Sequence, residues 1–316
     1  MSVYSGPRDR VSRHQTAQRF LAVLLSGALI LSVQIFSRID FFDKHVNFAA
    51  GYLNGTFSGK TATVDFLDVG QGSATLICFP DGKTLLVDTG PKSSRDTLIG
   101  YLDARGVSTL DCLVVTHQHG DHADNVEAVL DHVDVRDVVV PDAPEREMLD
   151  PKRYQKMNAN IKAAGLVIRR PVQGEMLLAG EDYSVTVLSD DQQNYPALND
   201  YSIVLKVVIG KVSFLLMADA EKTTESQLLA EGIALDCDFL QVGHHGNKNG
   251  ETEAFLEAVT PLVSVISVGK NTFGQPYSSV IGRLKDAGSS VYRTDFGGTI
   301  TVITDGASSR IECSVI

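Results

Sequence analysis

The string Thr116-His117-Gln118-His119-Gly120-Asp121-His122 packs three imidazoles and a carboxylate into six residues, directly after the strand-like run 110–116. The whole chain holds only eight histidines, so composition alone does not account for the cluster. Imidazole nitrogen and carboxylate oxygen are ligands for Zn, Mn or Fe. His117 and His119, two residues apart, can share one ion. Asp121 and His122 can turn to a second ion one loop-step on, with Gly120 supplying the tight backbone. The alternative is a polar surface loop with incidental histidines. Other strand-like runs end in similar donors: Asp88 closes 83–88, Asp219 closes 211–219, and His244-His245-Gly246 follows 238–243. Taken singly, Asp88 suits a turn and Asp219 a helix N-cap. Together they make four strand-end loops that deliver Asp or His in order. A carboxylate such as Asp219 can also bridge two cations, which one imidazole cannot do.

Elements that could position these donors are legible as alternating patterns. Residues 63–70, 73–79 and 83–90 are β-branched, apolar runs, with Pro80-Asp81-Gly82 as a hairpin signal. Leu98, Ile99 and Leu102 recur at helical spacing within 95–105, and Val126, Val129 and Leu130 within 124–132. Strands are expected at 110–116 and 136–141. Residues 144–164 read as a polar helix broken or kinked at Pro151. The second half repeats the scheme with strands at 183–189, 201–209, 211–219, 238–243, 262–269, 291–294 and 298–304, and helices at 226–231, 252–259 and 279–287. Each half thus begins with hairpins and continues as β–α units. The expectation is two mixed sheets back to back with helices outside, in one α/β domain over 61–316.

The 316 residues, 43% hydrophobic and 21% charged, rule out a disordered or collagenous chain and suffice for a full core. The net charge is -11. An acidic body argues against broad, tight nucleic-acid binding, but leaves a local basic groove open. Cys78, Cys112, Cys237 and Cys313 form no Cys-x-x-Cys, so neither a zinc ribbon nor a thioredoxin motif is present. Buried thiols are expected, although an even count in an exported domain leaves one or two disulfides open. Residues 20–36 contain no charge, and Arg8, Arg10, Arg13 and Arg19 precede them. This predicts a cytoplasmic basic tail over 1–19, a single transmembrane anchor over 20–36, a linker over 37–60 and an extracytoplasmic body. A cleaved signal peptide and a buried helix are the competing readings.

The ordered set 117–122, then Asp219, then His244/His245, preceded by Asp88 of Val87-Asp88-Thr89-Gly90, resembles the metallo-beta-lactamase superfamily. Within it the chain looks most like the C-terminal hydrolase domain of ComEC-type competence proteins, through Phe66–Gly72, Val242–Gly246, Ile266–Gly269 and Val291–Asp295. The resemblance covers roughly 61–304. It implies an αββα sandwich with two divalent ions, Zn or Mn, at one edge of the sheets. By position, His117 and His119 belong to one ion and Asp121 and His122 to the other. Asp219 bridges, and His245 is the last ligand, with the roles of His244 and His245 open to exchange. His244 is then a proton-transfer or substrate-phosphate group, Asp121 and Asp88 belong to the catalytic set, and Asn199 and Ser202 are substrate candidates. There are departures from the pattern. The further histidine of lactamases and glyoxalases is missing between His132 and His244. Ala123-Asp124-Asn125 stands in place of a glycine pair, and Gln275-Pro276 in place of His-Pro. The implied activity is that of a phosphodiesterase or nuclease at the bacterial cell membrane, acting on DNA, RNA or a cell-envelope polymer. A teichoic-acid phosphorylcholine esterase, a lactamase-like C–N or C–S hydrolase and a non-catalytic binding module are the alternatives.

Overall fold

The structure, a computed structural model, describes residue 57 and residues 59–144, 150–189, 195 and 197–314. The tail 1–19, the apolar run 20–36 and nearly all of the linker 37–60 lie outside the described residues. Among the described residues no helix is long and apolar enough to cross a membrane.

Strands β1 (Ala62–Phe66), β2 (Thr75–Cys78) and β3 (Thr84–Val87) form an antiparallel meander. Its second turn falls at the expected Pro80-Asp81-Gly82, where Gly82 donates to Phe79 O at 3.0 Å. Helix α1 (Arg95–Ala104) then crosses over to a parallel series. Strand β4 (Thr109–Leu110) precedes β5 (Cys112–Val114), which runs parallel to β3. The single turn α2 (Gly120–Ala123) and helix α3 (Val126–His132) follow. Strand β6 (Asp134–Val135) pairs with β4, and β7 (Val138–Val139) with β5. Helix α4 (Pro151–Ala163) leads to β8 (Ile168–Arg169).

The second sheet repeats this order. Strands β9 (Met176–Ala179), β10 (Tyr183–Val187), β11 (Leu205–Ile209) and β12 (Val212–Leu216) are antiparallel. Helix α5 (Lys222–Ala230), strand β13 (Phe239–Gln241), helix α6 (Glu253–Val259), strand β14 (Val263–Ile266), helix α7 (Ser278–Asp286) and strand β15 (Ser290–Arg293) continue it in parallel. After the turn α8 (Thr294–Gly297), strands β16 (Ile300–Thr304) and β17 (Ser309–Cys313) return to the first sheet beside β1.

Leu98 and Leu102 of α1, Val126 and Val129 of α3, and Met157 and Ile161 of α4 pack on Leu86, Leu113 and Val138 of the first sheet. Leu228, Phe255 and Leu284 pack on Leu215 and Leu240 of the second. Side chains alternate along a strand, so Phe214 and Phe239, stacked at 4.8 Å, point to the other face. Phe79, just past β2, stacks at 4.0 Å on Tyr183 of the second sheet. The result is four layers: helices, sheet, sheet, helices. Burying each large apolar side chain contributes roughly 1.5–3 kcal/mol before the entropy of ordering is subtracted.

Three findings differ from the sequence reading. The first strand stops at Phe66 rather than running to Gly70. Residues 67–74 instead form a loop in which Ser73 N donates to Asp121 O at 3.0 Å. A Cβ on Gly72 would lie 2.4 Å from that same oxygen, so only glycine lets the loop approach. Pro151 opens α4 rather than breaking it, because a missing N–H costs nothing at the first helical position. Strands β8, β9 and β17 were not expected, and all three are sheet edges. Edge strands carry polar, exposed residues such as Arg310 and Glu312 of β17, which masks their hydropathic signal. Of the cysteines, Cys78 and Cys112 are thiols within the packed body, whereas Cys313 is exposed.

Candidate metal centre

Four strand ends converge at one edge of the molecule. Asp88 follows β3, Thr116–His122 follows β5, Asp219 follows β12, and Gly243–Gly246 follows β13. The pairs β3/β5 and β12/β13 are each parallel, so within each sheet the donors leave from the same side. The backbone is left-handed at Asp88, Ala218, His244 and His245, with φ of 62°, 51°, 43° and 55°. Non-glycine residues held there cost of order 1 kcal/mol or more each, and all four stand where donors must be turned inward.

Two donor groups result. In one, His117 Nε2 and His119 Nδ1 are 3.1 Å apart, with Asp219 Oδ2 3.6 Å from His117 Nε2. In the other, Asp219 Oδ1 lies 3.1 Å from His122 Nε2 and 3.5 Å from His245 Nε2, and Asp121 Oδ2 lies 3.3 Å from His245 Nε2. Within each group the donor atoms all fall within 4.8 Å of one another. Asp219 belongs to both and offers one oxygen to each.

The remaining ring nitrogens are held from outside. His122 Nδ1 meets Asp88 Oδ2 at 2.6 Å, His245 Nδ1 meets Ser267 O at 2.7 Å, and His117 Nδ1 meets Thr116 Oγ1 at 3.2 Å. These partners favour the tautomer with Nδ1–H, leaving each Nε2 lone pair aimed inward. His122 Nε2, His245 Nε2 and Asp219 Oδ1 are buried and make no hydrogen bond. Leaving such atoms unsatisfied costs about 1–3 kcal/mol each. Lone pairs, carboxylate oxygens and outer partners together fit a pair of divalent cations.

The charges reinforce one another. Burial alone would raise the Asp219 carboxyl, yet His122, His245 and His244 hold it well below the usual range. Burial pushes His117 well down, helped by His122, and lowers His119. Burial opposes charge on His122 too, but Asp219 and Asp88 on either side raise it well above an ordinary imidazole; a divalent cation on Nε2 would take the place of that proton.

Residues 67–270 match the family model for the metallo-beta-lactamase superfamily. The chain belongs to that superfamily. It is 31% identical over 255 residues to ComE operon protein 3 of Bacillus subtilis, covering 75% of this chain and 32% of that protein. It is 33% identical over 256 residues to Recombination protein 2 of Haemophilus influenzae, covering 78% and 29%. The chain therefore spans about a third of the length of the curated relatives it matches. CmlA, a diiron β-hydroxylase from Streptomyces venezuelae, superposes with a TM-score of 0.53 at 15% identity, over 76% of this chain and 53% of its own. That likeness concerns the fold.

For this metallo-beta-lactamase member, the structure brings together all six residues named from the sequence as ligands: His117, His119, Asp121, His122, Asp219 and His245. Asp88 is fully buried outside both groups and accepts from Thr116 N, Thr116 Oγ1 and His122 Nδ1. His244 stands apart from the ligand groups. Its Nδ1 is 2.6 Å from Glu221 Oε1 and its Nε2 is 3.7 Å from Asp219 Oδ2. Asn199 Nδ2 lies 3.1 Å from His244 Nδ1. Ser202, named as a substrate candidate, is buried, and its Oγ accepts from Asp219 N at 3.2 Å. It sits behind the Asp219 carboxylate and is absent from the cleft lining.

The cleft in front of the cluster has a volume of about 430 Å³ and is also lined by Arg153, Phe273 and Gln275. Sequence reasoning missed Arg153 and Phe273, together with Glu221, and marked Gln275 only as a departure from the family pattern. Glu221 lies two residues past Asp219, so proximity was its one signal. Gln275 stands where the resembling proteins bring a histidine before proline. It accepts from Gln71 Nε2 at 2.8 Å and donates to His244 O at 3.0 Å, tying the loop of the first sheet to that of the second.

Behind the tandem histidines, buried Glu251 Oε1 accepts from Gly243 N at 2.6 Å. Glu225 in turn accepts from Glu251 N and from Thr252. Burial, then the charge of Glu225, raises the Glu251 carboxyl well above its ordinary value. A raised carboxyl stabilises the fold below its unfolded pKa, and that contribution is lost as pH rises through the folded one. The uncharged Glu251→Gln variant escapes this loss. Its melting temperature relative to wild type is therefore expected to rise as pH climbs above the ordinary carboxylate range. A pH-independent difference between the two melting curves would count against a neutral Glu251.

Proposed function

We propose that the chain is a membrane-anchored, extracytoplasmic phosphodiesterase using two divalent ions, Zn or Mn, and acting on nucleic acid. The observation that carries this reading is the pair of donor groups sharing Asp219, with inward nitrogens and an oxygen that nothing in the protein satisfies. His117, His119 and Asp219 would hold one ion; Asp121, His122, His245 and Asp219 would hold the other. When bound, such ions supply Lewis acidity, acidifying water near neutral pH and offsetting charge on phosphoryl oxygens.

The chain's own residues do the rest. Asp88 keeps His122 oriented, and through Thr116 it reaches His117 as well. Glu221 holds His244 by its Nδ1, and Asn199 lies against the same ring. His244 is partly open to the cleft, a position suited to protonating a leaving alkoxide. The relative named for recombination supports a nucleic-acid substrate. The anchor over 20–36, the tail 1–19 and the linker 37–60 belong to the proposal on the strength of the apolar run and its basic flank.

The full chain, purified in detergent and loaded with Mn or Zn, is expected to hydrolyse bis-p-nitrophenyl phosphate and to stop on chelation. Full turnover after chelation, or turnover of β-lactams or thioesters in its place, would remove the reading. His244→Gln gives a sharper test. Burial opposes charge on His244, but Asp219 and Glu221 raise it above an ordinary histidine. The variant is expected to lose about 10²–10⁴-fold on a dinucleotide. It should lose far less on bis-p-nitrophenyl phosphate, whose leaving group needs no proton. Equal losses on both substrates would rule out the acid role.

A further inference from the structure

A second cavity of about 590 Å³ lies beside the metal cleft, between the start of α1, helix α3 and helix α4. Arg153 lines both. Its guanidinium rests over Gly120 of the histidine loop, where a Cβ would come within 2.1 Å of a guanidinium nitrogen. The second cavity is lined by five basic residues, Lys92, Arg95, Lys152, Arg153 and Lys156, against three acidic ones, Asp124, Glu127 and Asp131. Lys156 is matched to Glu127 at 2.7 Å, and Arg153 leans on Asp124 at 3.3 Å and on Asp150 of the metal cleft at 3.8 Å. Lys92, Arg95 and Lys152 against Asp131 leave this groove a basic excess on a chain whose net charge is -11. On the metal cleft itself Phe273 exposes 66% of its surface. A bare aromatic ring there offers a stacking face for a planar base.

Resting on the phosphodiesterase reading above, we propose that this groove is a track for the backbone phosphates of a single-stranded nucleic acid, continuous with the cleft through Arg153. Phe273 stacks a base next to the scissile bond. A strand seated in the cleft would pass its next phosphates over Arg153 and into the field of Lys92, Arg95 and Lys152. A small phosphodiester would fill the cleft and reach none of them. The site therefore distinguishes a polymer from a fragment by length. A glycerol-phosphate polymer carries the same backbone charge but presents nothing to Phe273, so the exposed ring favours the nucleic acid.

The test measures binding as well as turnover. Fluorescence anisotropy on the full, metal-loaded chain in detergent would compare 12-nucleotide and 4-nucleotide phosphorothioate single strands with polyglycerol phosphate. The 12-mer is expected to bind at least about tenfold tighter than the 4-mer. The combined variant Lys92→Glu, Arg95→Glu and Lys152→Glu, all exposed positions, should erase that gap and lower the slope of log affinity against log salt by about two. Phe273→Ala should weaken the strand about tenfold and leave polyglycerol phosphate unchanged. Length-independent affinity in the wild type, or a length gap that survives in a variant with an unchanged melting curve, overturns the track. Polyglycerol phosphate binding as tightly as the strand overturns the nucleic acid as its occupant. Wild-type turnover of bis-p-nitrophenyl phosphate separates the two layers. Its absence removes the phosphodiesterase reading and the substrate track with it, whereas its presence beside length-independent binding removes the track alone.

Discussion

Asp219→Ala is expected to reduce hydrolysis by at least about a thousandfold and to leave the purified protein holding one equivalent of metal or fewer. The reason is geometric. Asp219 is the one residue common to both donor groups, with Oδ1 3.1 Å from His122 Nε2 and Oδ2 3.6 Å from His117 Nε2. Removing it leaves one group with two imidazoles and the other with Asp121, His122 and His245. The same carboxylate offsets positive charge among buried imidazoles, so its loss also pushes neighbours toward repulsion. Metal content by elemental analysis and turnover of bis-p-nitrophenyl phosphate check the two halves separately. Two equivalents of metal with a normal rate in the alanine variant would sink the shared-carboxylate arrangement.

Asp88→Asn is expected to weaken metal affinity by about 10–100-fold, although Asp88 belongs to neither donor group. The carboxylate is fully buried, and its oxygens accept from Thr116 N at 2.8 Å, from Thr116 Oγ1 at 2.8 Å and from His122 Nδ1 at 2.6 Å. An asparagine oxygen can keep part of this, but its NH₂ faces Nδ1–H or the Thr116 hydroxyl donor to donor. His122 is then free to turn over its tautomer and present a proton where a lone pair was aimed. Burial raises the Asp88 carboxyl, with His122 opposing, so the charged form depends on the imidazole beside it. A merely structural Asp88 would lower the melting temperature and leave affinity alone. Metal titration of protein shown to be folded separates the cases, and a wild-type titration curve would refute the orienting role.

The sequence alone determined the donor types and the loops that carry them. Three histidines and an aspartate in six residues behind a strand, Asp88, Asp219 and the tandem histidines were each legible, because β-branched runs mark strands and short polar strings mark their ends. The repeated hairpin-then-β–α order was legible for the same reason, since hydropathy periodicity survives without tertiary context. What it could not separate was His244 from His245. They are adjacent, chemically identical and both left-handed in φ, and only the packing of Ser267 O against one and Glu221 against the other assigns them different work. Ser202 reads as a cleft hydroxyl until the fold turns it behind Asp219. Arg153 and Phe273 sit on an ordinary polar helix and an exposed loop, with no pattern of their own. They reach the cleft because sheet and helix layers bring residues more than a hundred positions apart to one edge, a distance relation that no local spacing encodes.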